Sequence, residues 1–541
     1  MKKIIFGILF VAAVVTFADK PNLIVILCDD MGYADVGFNG CKDIPTPNID
    51  RIAKNGVQCT SGYVAYSVCG PSRAGLMTGR YEQRFGFERN PQYQPNDPNM
   101  GVPLSEHTLA DVLKKAGYTS GAIGKWHLGA YPTLHPLNRG FDFFYGHLGG
   151  GHRYFPEELT IKRSEDATGE TESYQTWILR NHEPDPPTQY LTDAFSDEAV
   201  GFVERSKDQP FFLYLAYNAP HNPLQATEKY LSRFKNIKNE KRRTYAAMVS
   251  AIDDGVGLLL NKLDELNLTD NTLIFFLSDN GGPETKNASD NGPLRGQKSD
   301  VWEGGFRVPY AVQWKGTLPA GAKYDEPVSS LDIFATIADL AQAPLDPQRP
   351  LDGVNLIPYL TGKEPGVPHE AIYLRKFDQG RYAVRHGDYK LVIPFSGGTA
   401  QLYNLEEDIG EEQDIASAHP EKMKELDQLR LKWDSQLIEP RFLGLTQSAD
   451  WIKHHPPKKS DKPNAKSAKK ASVAKWDWFA ALDKNKDRGV TEDEWLEWSM
   501  KESKKKNRNT SEGQQKQYFA SRDANGDGMI TREELEASKR K

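Results

Sequence analysis

The run Asn22-Leu-Ile-Val-Ile-Leu27 passes directly into Cys28-Asp29-Asp30-Met31-Gly32-Tyr33, and a second apolar run, Leu273-Ile-Phe-Phe-Leu277, ends in Ser278-Asp279-Asn280-Gly281-Gly282. Short, uninterrupted apolar segments describe strands buried on both faces, which is the pattern of a parallel sheet. Helical stretches such as Leu109 to Ala116 and Tyr245 to Leu263 alternate with them, so residues 19–370 are expected to form an α/β domain around a central, mostly parallel sheet. Ligands of open parallel sheets bind beyond the carboxyl ends of the strands, where both polar pairs stand. Asp29, Asp30, Asp279 and Asn280 converging there would offer four hard oxygen donors suited to Ca²⁺ or Mg²⁺. A helix cap at Asp29-Asp30 and a turn at Asp279-Asn280 are the alternative reading.

Beyond residue 370 the texture changes to short strands and turns, Arg381 to Arg385, Tyr389 to Ile393 and Leu402 to Leu405, followed by a helix from Pro420 to about Gln436. This predicts a small antiparallel α+β subdomain over 371–452. Residues 453–475 hold eight lysines against one aspartate among prolines, serines and alanines. They read as a flexible linker, with a tether for an anionic polymer as the alternative.

After the linker, Asp523, Asn525, Asp527, Gly528, Ile530, Thr531 and Glu534 occupy the positions of a twelve-residue EF-hand loop. Asp483, Asn485, Asp487, Val490, Thr491 and Glu494 repeat the pattern, except that Arg488 stands where the turn wants a residue tolerant of positive φ. Residues 476–541 are therefore expected to be a helical EF-hand pair holding further Ca²⁺.

At the other end, Lys2 and Lys3 precede the apolar Ile4 to Val15 and then Thr16-Phe17-Ala18. Residues 1–18 have the form of a signal peptide, too short for a membrane span of about 20 residues. The expected product is secreted or periplasmic, with no membrane anchor; an apolar first core strand is the alternative. The 541 residues carry a formal net charge of −6 and only four cysteines, which excludes a disulfide-stapled miniature fold. Without the two leader lysines the charge is −8, and outside the basic linker it is −15. A body this acidic is not expected to bind nucleic acid.

Ser67-Val-Cys69-Gly-Pro71-Ser72-Arg73-Ala-Gly-Leu-Met-Thr78-Gly79-Arg80 fixes several residue types at set spacings. It closely resembles the Cys-x-Pro-Ser-Arg-x-x-x-x-Thr-Gly-Arg signature of the formylglycine-dependent sulfatases. Gly124-Lys125-Trp126-His127-Leu128-Gly129, Ala219-Pro220-His221, and Lys298 followed by Trp302 to Arg307 match further segments of that family in order, so the resemblance spans roughly residues 20 to 440. It implies an alkaline-phosphatase-like α/β sandwich and a hydrolase of sulfate esters. It also implies that a maturation enzyme, formylglycine-generating or anaerobic, oxidises Cys69 to formylglycine. The hydrated aldehyde would supply the nucleophile and, through its second hydroxyl, an exit for the bound sulfate. Pro71 suits the first position of a helix, which would set Cys69 at an N-terminal end that favours negative charge.

By the same resemblance, Asp29, Asp30, Asp279 and Asn280, with Cys69, hold Ca²⁺. Arg73 and Lys125 secure the formylglycine, His127 removes a hydroxyl proton, Lys298 holds the sulfate oxygens, and His221 protonates the departing sugar oxygen. A sulfate with a developing alkoxide independently calls for fixed positive charge and an acid. The glycine-rich segment around His147, His152 and Arg153, and Glu88, Arg89 and Asn90 after the signature, are the candidates for binding a sulfated carbohydrate, a polysaccharide or an oligosaccharide derived from one. Two other functions stay open at this stage: a phosphoester or phosphonate-ester hydrolase on the same scaffold, and a non-catalytic calcium-dependent binder. If Cys69 is converted, Cys28, Cys41 and Cys59 remain, with Cys41–Cys59 the pairing that could form a disulfide.

Overall fold

Strand β1 (Asn22–Cys28) sends Leu23, Val25 and Leu27 into one hydrophobic core and Ile24, Ile26 and Cys28 into another, so the sheet it belongs to is covered on both faces. A computed structural model describes residues 20–159, 176–447 and 490–505, together with 516, 519–520, 522–523 and 528–531. In chain order the remaining strands are β2 (Val57–Cys59), β3 (Gly62–Tyr63), β4 (Thr119–Lys125), β5 (Phe143–His147), β6 (Leu179–Arg180), β7 (Glu183–Pro184), β8 (Phe211–Ala216), β9 (Thr272–Ser278), β10 (Tyr310–Gln313), β11 (Ala322–Tyr324), β12 (Val328–Ser329), β13 (Ile372–Lys376), β14 (Arg381–His386), β15 (Tyr389–Ile393), β16 (Gln401–Asn404), β17 (Val490–Thr491) and β18 (Met529–Ile530).

The main sheet runs β11-β2-β10-β9-β1-β8-β4-β5-β6-β7. Its middle, β9-β1-β8-β4-β5, is wholly parallel. The antiparallel pairings involve β10 and the short β6 and β7. Helices Leu191–Ser206 and Glu240–Glu265 bury their apolar faces in the core that receives Ile24 and Ile26. Helices Cys69–Thr78 and Leu331–Leu340 lie on the other face. The expected mostly parallel α/β sandwich is the fold observed.

Strands β13-β14-β15-β16 form a separate antiparallel sheet, and helix Pro420–Asp434 follows it. Ile372, Leu374, Ala383, Val392 and Tyr403 share one core with Leu23 and Val25, so this sheet is joined to the large domain by a common apolar interior. The chain divides into two compact units, 1–454 and 455–541. In the second, β17 and β18 pair antiparallel through Val490 and Ile530, the eighth residues of the two calcium-type loops, and helix Glu492–Lys505 begins at the tenth residue of the first loop. Asp483, Asn485, Asp487, Asn525, Asp527, Glu534, the leader and the linker lie outside the described residues.

One expectation is corrected, and one pairing left open by the sequence is decided. Helix Cys69–Thr78 begins at Cys69 and not at Pro71, which becomes its third residue. Proline is tolerated there because the first four amides of a helix have no intrahelical acceptor. Cys41 and Cys59 do not pair: all four cysteines are free, Cys59 packing in one core and Cys41 against the other, across the sheet.

Candidate active site

Four neighbouring strands bring their carboxyl ends to one place. β1 delivers Asp29 and Asp30, β9 Asp279 and Asn280, β4 Lys125 and His127, and the segment after β8 His221. Backbone hydrogen bonds lock the junction: Asp29 N donates to the Ala219 carbonyl (3.1 Å) and Asp279 N to that of Cys28 (2.9 Å). Helix Cys69–Thr78 is buried along its whole length and aims its N-terminus at this point, while the 282–302 segment carries Lys298 in from the other side. Asp30 and His127 adopt positive φ, 65° and 59°. Non-glycine residues held in that region mark sites where the surroundings impose a conformation.

Cys69 sits among charges. Its thiol donates to Asp29 Oδ1 at 3.4 Å and accepts from Lys298 Nζ at 3.0 Å. Lys125 Nζ donates to Asp29 Oδ2 (2.7 Å), Lys298 Nζ to Asp30 Oδ1 (2.6 Å), and Arg73 Nε to Asp279 Oδ2 (2.8 Å). His221 Nε2 is 3.5 Å from Asp30 Oδ2, and its Nδ1 donates to the Asn222 carbonyl at 2.7 Å. Burial, reinforced by Asp29, pushes the Cys69 thiol up to about 12 against the pull of Lys125 and Lys298. Burial raises Asp279 to about 6, with Asp29 adding to the effect. For Asp30, burial is outweighed by Lys298 and His221, which hold the carboxyl at about 2. Burial takes His221 down to about 3 despite Asp30, and together with Lys125 and Arg73 it keeps His127 well below the usual histidine range.

Ligand atoms of Asp29, Asp30, Cys69 and His221 all lie within 4.8 Å of one another. Asn280 donates its amide to Asp30 Oδ1 (2.7 Å), while its own Oδ1 is buried with no hydrogen-bond partner. An orphaned carbonyl oxygen beside three carboxylates is what a hard cation would satisfy. The donor set fits a divalent metal ion. Three carboxylates face three fixed cations, so a bound divalent ion would leave the site positive and receptive to an anionic group with developing negative charge.

The structure distributes the substrate candidates unevenly. Glu88, Arg89 and Asn90 line a cavity of about 180 Å³ together with Val68 and Ser299, neighbours of Cys69 and Lys298. Asn90 Oδ1 accepts from Gly70 N at 2.8 Å, Glu88 pairs with Arg375 at 2.6 Å, and Arg89 bonds Asp378 and the Phe442 carbonyl. His147 and His152 are buried, their rings 5.1 Å apart, and His152 Nε2 meets the Thr176 carbonyl at 2.7 Å. Arg153 pairs with Glu158. The glycine-rich loop packs over His127, since a Cβ at Gly150 would lie 2.7 Å from His127 Nε2. Tyr66 and Lys376 also line this cavity, and no motif in the sequence marks either of them.

Residues 21–343 match the sulfatase family, and residues 297–437 match the C-terminal region of N-sulphoglucosamine sulphohydrolase. The chain is 32% identical over 496 residues to the uncharacterized sulfatase YdeN of Escherichia coli K12, covering 75% of this chain and 84% of that protein. It is 36% identical over 353 residues to the N-acetylgalactosamine-6-sulfatase of Mus musculus, covering 62% of this chain and 66% of that protein. The crystal structure of Ps i-CgsB in complex with k-i-k-neocarrahexaose superposes with a TM-score of 0.75 at 42% identity, covering 81% of this chain and 98% of that one.

Proposed function

The chain belongs to the sulfatase family, hydrolases of sulfate esters, and from that premise we propose that it removes sulfate from a sulfated carbohydrate, a polysaccharide or its oligosaccharides, after conversion of Cys69 to formylglycine by a maturation enzyme. The observation that carries this reading is the position of Cys69 at a buried helix N-terminus, between Asp29 at 3.4 Å and Lys298 at 3.0 Å. The carbohydrate is supported by the oligosaccharide bound to Ps i-CgsB, the solved structure compared above. The pattern of residues 1–18 supports export to the periplasm or medium, and among the described residues no helix is long and apolar enough to cross a membrane.

Formylglycine, once hydrated, would supply an attacking oxygen and a second hydroxyl through which the bound sulfate could be released. Asp29, Asp30, Asp279 and Asn280 would hold Ca²⁺, the ion suited to an all-oxygen set, which when bound polarises the sulfate oxygens. Arg73 and Lys125 anchor the carboxylates at the end of β1 and β9 and fix the nucleophile's surroundings. Lys298 reaches both Cys69 and Asp30, so its ammonium is in place to bind a sulfate oxygen at the nucleophile. His127, neutral through burial and adjacent cations, is free at Nδ1 to take the hydroxyl proton. His221, its Nδ1–H held by the Asn222 carbonyl, turns Nε2 toward the site beside Asp30; in the neutral ring this nitrogen is unprotonated, so its role as acid to the departing sugar oxygen requires the ring to gain a proton in the substrate complex.

A second calcium role belongs to residues 476–541. Gly528 has φ +84°, its amide donates to Asp523 Oδ2 at 2.9 Å, and β17 pairs with β18; each is a feature of a paired EF-hand.

Cys69→Ala tests the mechanism. Sulfate release should fall at least ~10³-fold, about 4 kcal/mol of barrier, with the melting temperature retained. Peptide mass analysis of the wild type should show the Cys69 side chain as an aldehyde. Full activity in the variant contradicts the proposed nucleophile.

A further inference from the structure

Resting on the carbohydrate reading above, we propose that Lys376 is a specificity-determining residue that binds an anionic group, a sulfate ester or a carboxylate, on the sugar adjoining the one that is desulfated. The cavity of about 180 Å³ beside Cys69 has room for a sulfate-sized group in place of several waters. One wall is tied to the nucleophile: Val68 precedes Cys69, and Ser299, whose amide donates to the Ser67 carbonyl at 2.8 Å, follows Lys298. The opposite wall is Lys376, the last residue of β13, contributed by the antiparallel subdomain.

Lys376 is 6% exposed, and its Nζ lies 5.2 Å from the centre of the Tyr66 ring. The carboxylates around it are committed to other cations. Glu88 pairs with Arg375 at 2.6 Å, Asp378 with Arg89 at 2.9 Å, and Asp300 is 3.4 Å from Arg381. Among the described residues no carboxylate forms an ion pair with Lys376, and Arg381 adds positive charge nearby, its own Nε buried without a partner. Asp300, Glu88 and Asp378 offset its charge only from a distance, and a buried cation without a directly paired carboxylate is costly in a folded protein unless a ligand supplies the counter-charge. Burial, followed by the opposing charge of Arg381, takes the Lys376 amine down to about 7, and a bound anion would restore its proton. The sulfate undergoing reaction is assigned to Lys298 at the nucleophile, so an anion at Lys376 belongs to a different part of the substrate.

The test uses the matured full-length enzyme and four esters: an aryl sulfate and three oligosaccharides with the same target sulfate. On the adjoining sugar the three carry no charge, a second sulfate, or a uronic carboxylate. The wild type should prefer one of the doubly anionic oligosaccharides to the singly charged one, and which it prefers identifies the anion. Lys376→Met should lower kcat/KM on that substrate by ~10-fold or more, chiefly through KM, as expected for losing a charged hydrogen bond. It should change the aryl sulfate and the singly sulfated oligosaccharide less than about threefold, and Lys376→Arg should recover part of the preference. Equal wild-type kcat/KM on all three oligosaccharides overturns the inference even if the methionine variant fails to fold. Equal losses on all four esters also overturn it, since they mark a structural role. Turnover of the aryl ester with none of any oligosaccharide refutes the carbohydrate reading, and this inference with it.

Discussion

Single atoms decide how closely the catalytic strands can approach. Gly124 precedes Lys125, has φ +105°, and an added Cβ would lie 1.9 Å from the Ala216 carbonyl oxygen on β8. That oxygen is backbone of the adjoining parallel strand and cannot move without opening the β4–β8 ladder. Gly124→Ala should therefore destabilise the protein by about 3 kcal/mol or more, combining backbone strain with overpacking. A urea unfolding midpoint measures this, and turnover should fall with it because Lys125 is displaced from Asp29; an unchanged midpoint refutes the argument. At this scale the carboxylates Asp29 and Asp279 could be read from apolar strands that end in them, whereas Cys69, Lys125, His221 and Lys298 were named through the resemblance of their blocks to one family. Lys376 was not legible, because a lysine in an antiparallel strand looks like a solvated residue until its neighbours from residues 66 and 299 are in place.

Elements are held in register by charges from distant parts of the chain. Asp332, in the first turn of helix Leu331–Leu340, accepts from Ser329 N (2.7 Å), Val354 N (2.9 Å) and His369 Nε2 (2.8 Å). Burial opposes the imidazolium of His369, but Asp332 outweighs it and raises the histidine above its ordinary value. A raised folded-state value means that the stabilisation is complete below about 6.5, the ordinary histidine value, and is lost as pH climbs through the higher folded one. Melting temperature should accordingly fall from slightly acidic toward alkaline pH, and His369→Gln should flatten that decline while lowering the melting temperature at pH 6 by roughly 2 °C or more. Parallel declines in both proteins would exclude the pair as their source. The strands at 22–28 and 272–278 could be read from their apolar runs, whereas β2, β3, β11 and β12 are two or three residues long and leave no periodicity to detect. Lys390 shows another limit of sequence reading. It lies in a strand that was anticipated, yet it is fully buried between Glu303 (2.8 Å) and Glu411 (2.7 Å), partners that pattern alone does not connect.

At the scale of the whole molecule, charge and chain division point the same way. The body outside the basic linker carries −15, yet each carboxylate of the site faces a fixed cation, so the pull on a sulfate ester is local and owes nothing to the protein's net charge. Every residue assigned to catalysis and to the adjoining cavity falls within the unit 1–454, and the calcium-type loops fall within 455–541. The helix N-terminus, the four strand ends and the Lys298 segment are all closed by hydrogen bonds inside the first unit. Removing residues 453–541 should then leave kcat/KM for a small sulfate ester within about tenfold of the full chain, 1.4 kcal/mol in barrier. The comparison is made on matured proteins with equal formylglycine content, so that a difference reports the site and not its processing. A larger loss for the truncated enzyme would mean that the second unit acts on the reacting atoms, and the assignment of its calcium loops to a role apart from catalysis would have to be abandoned.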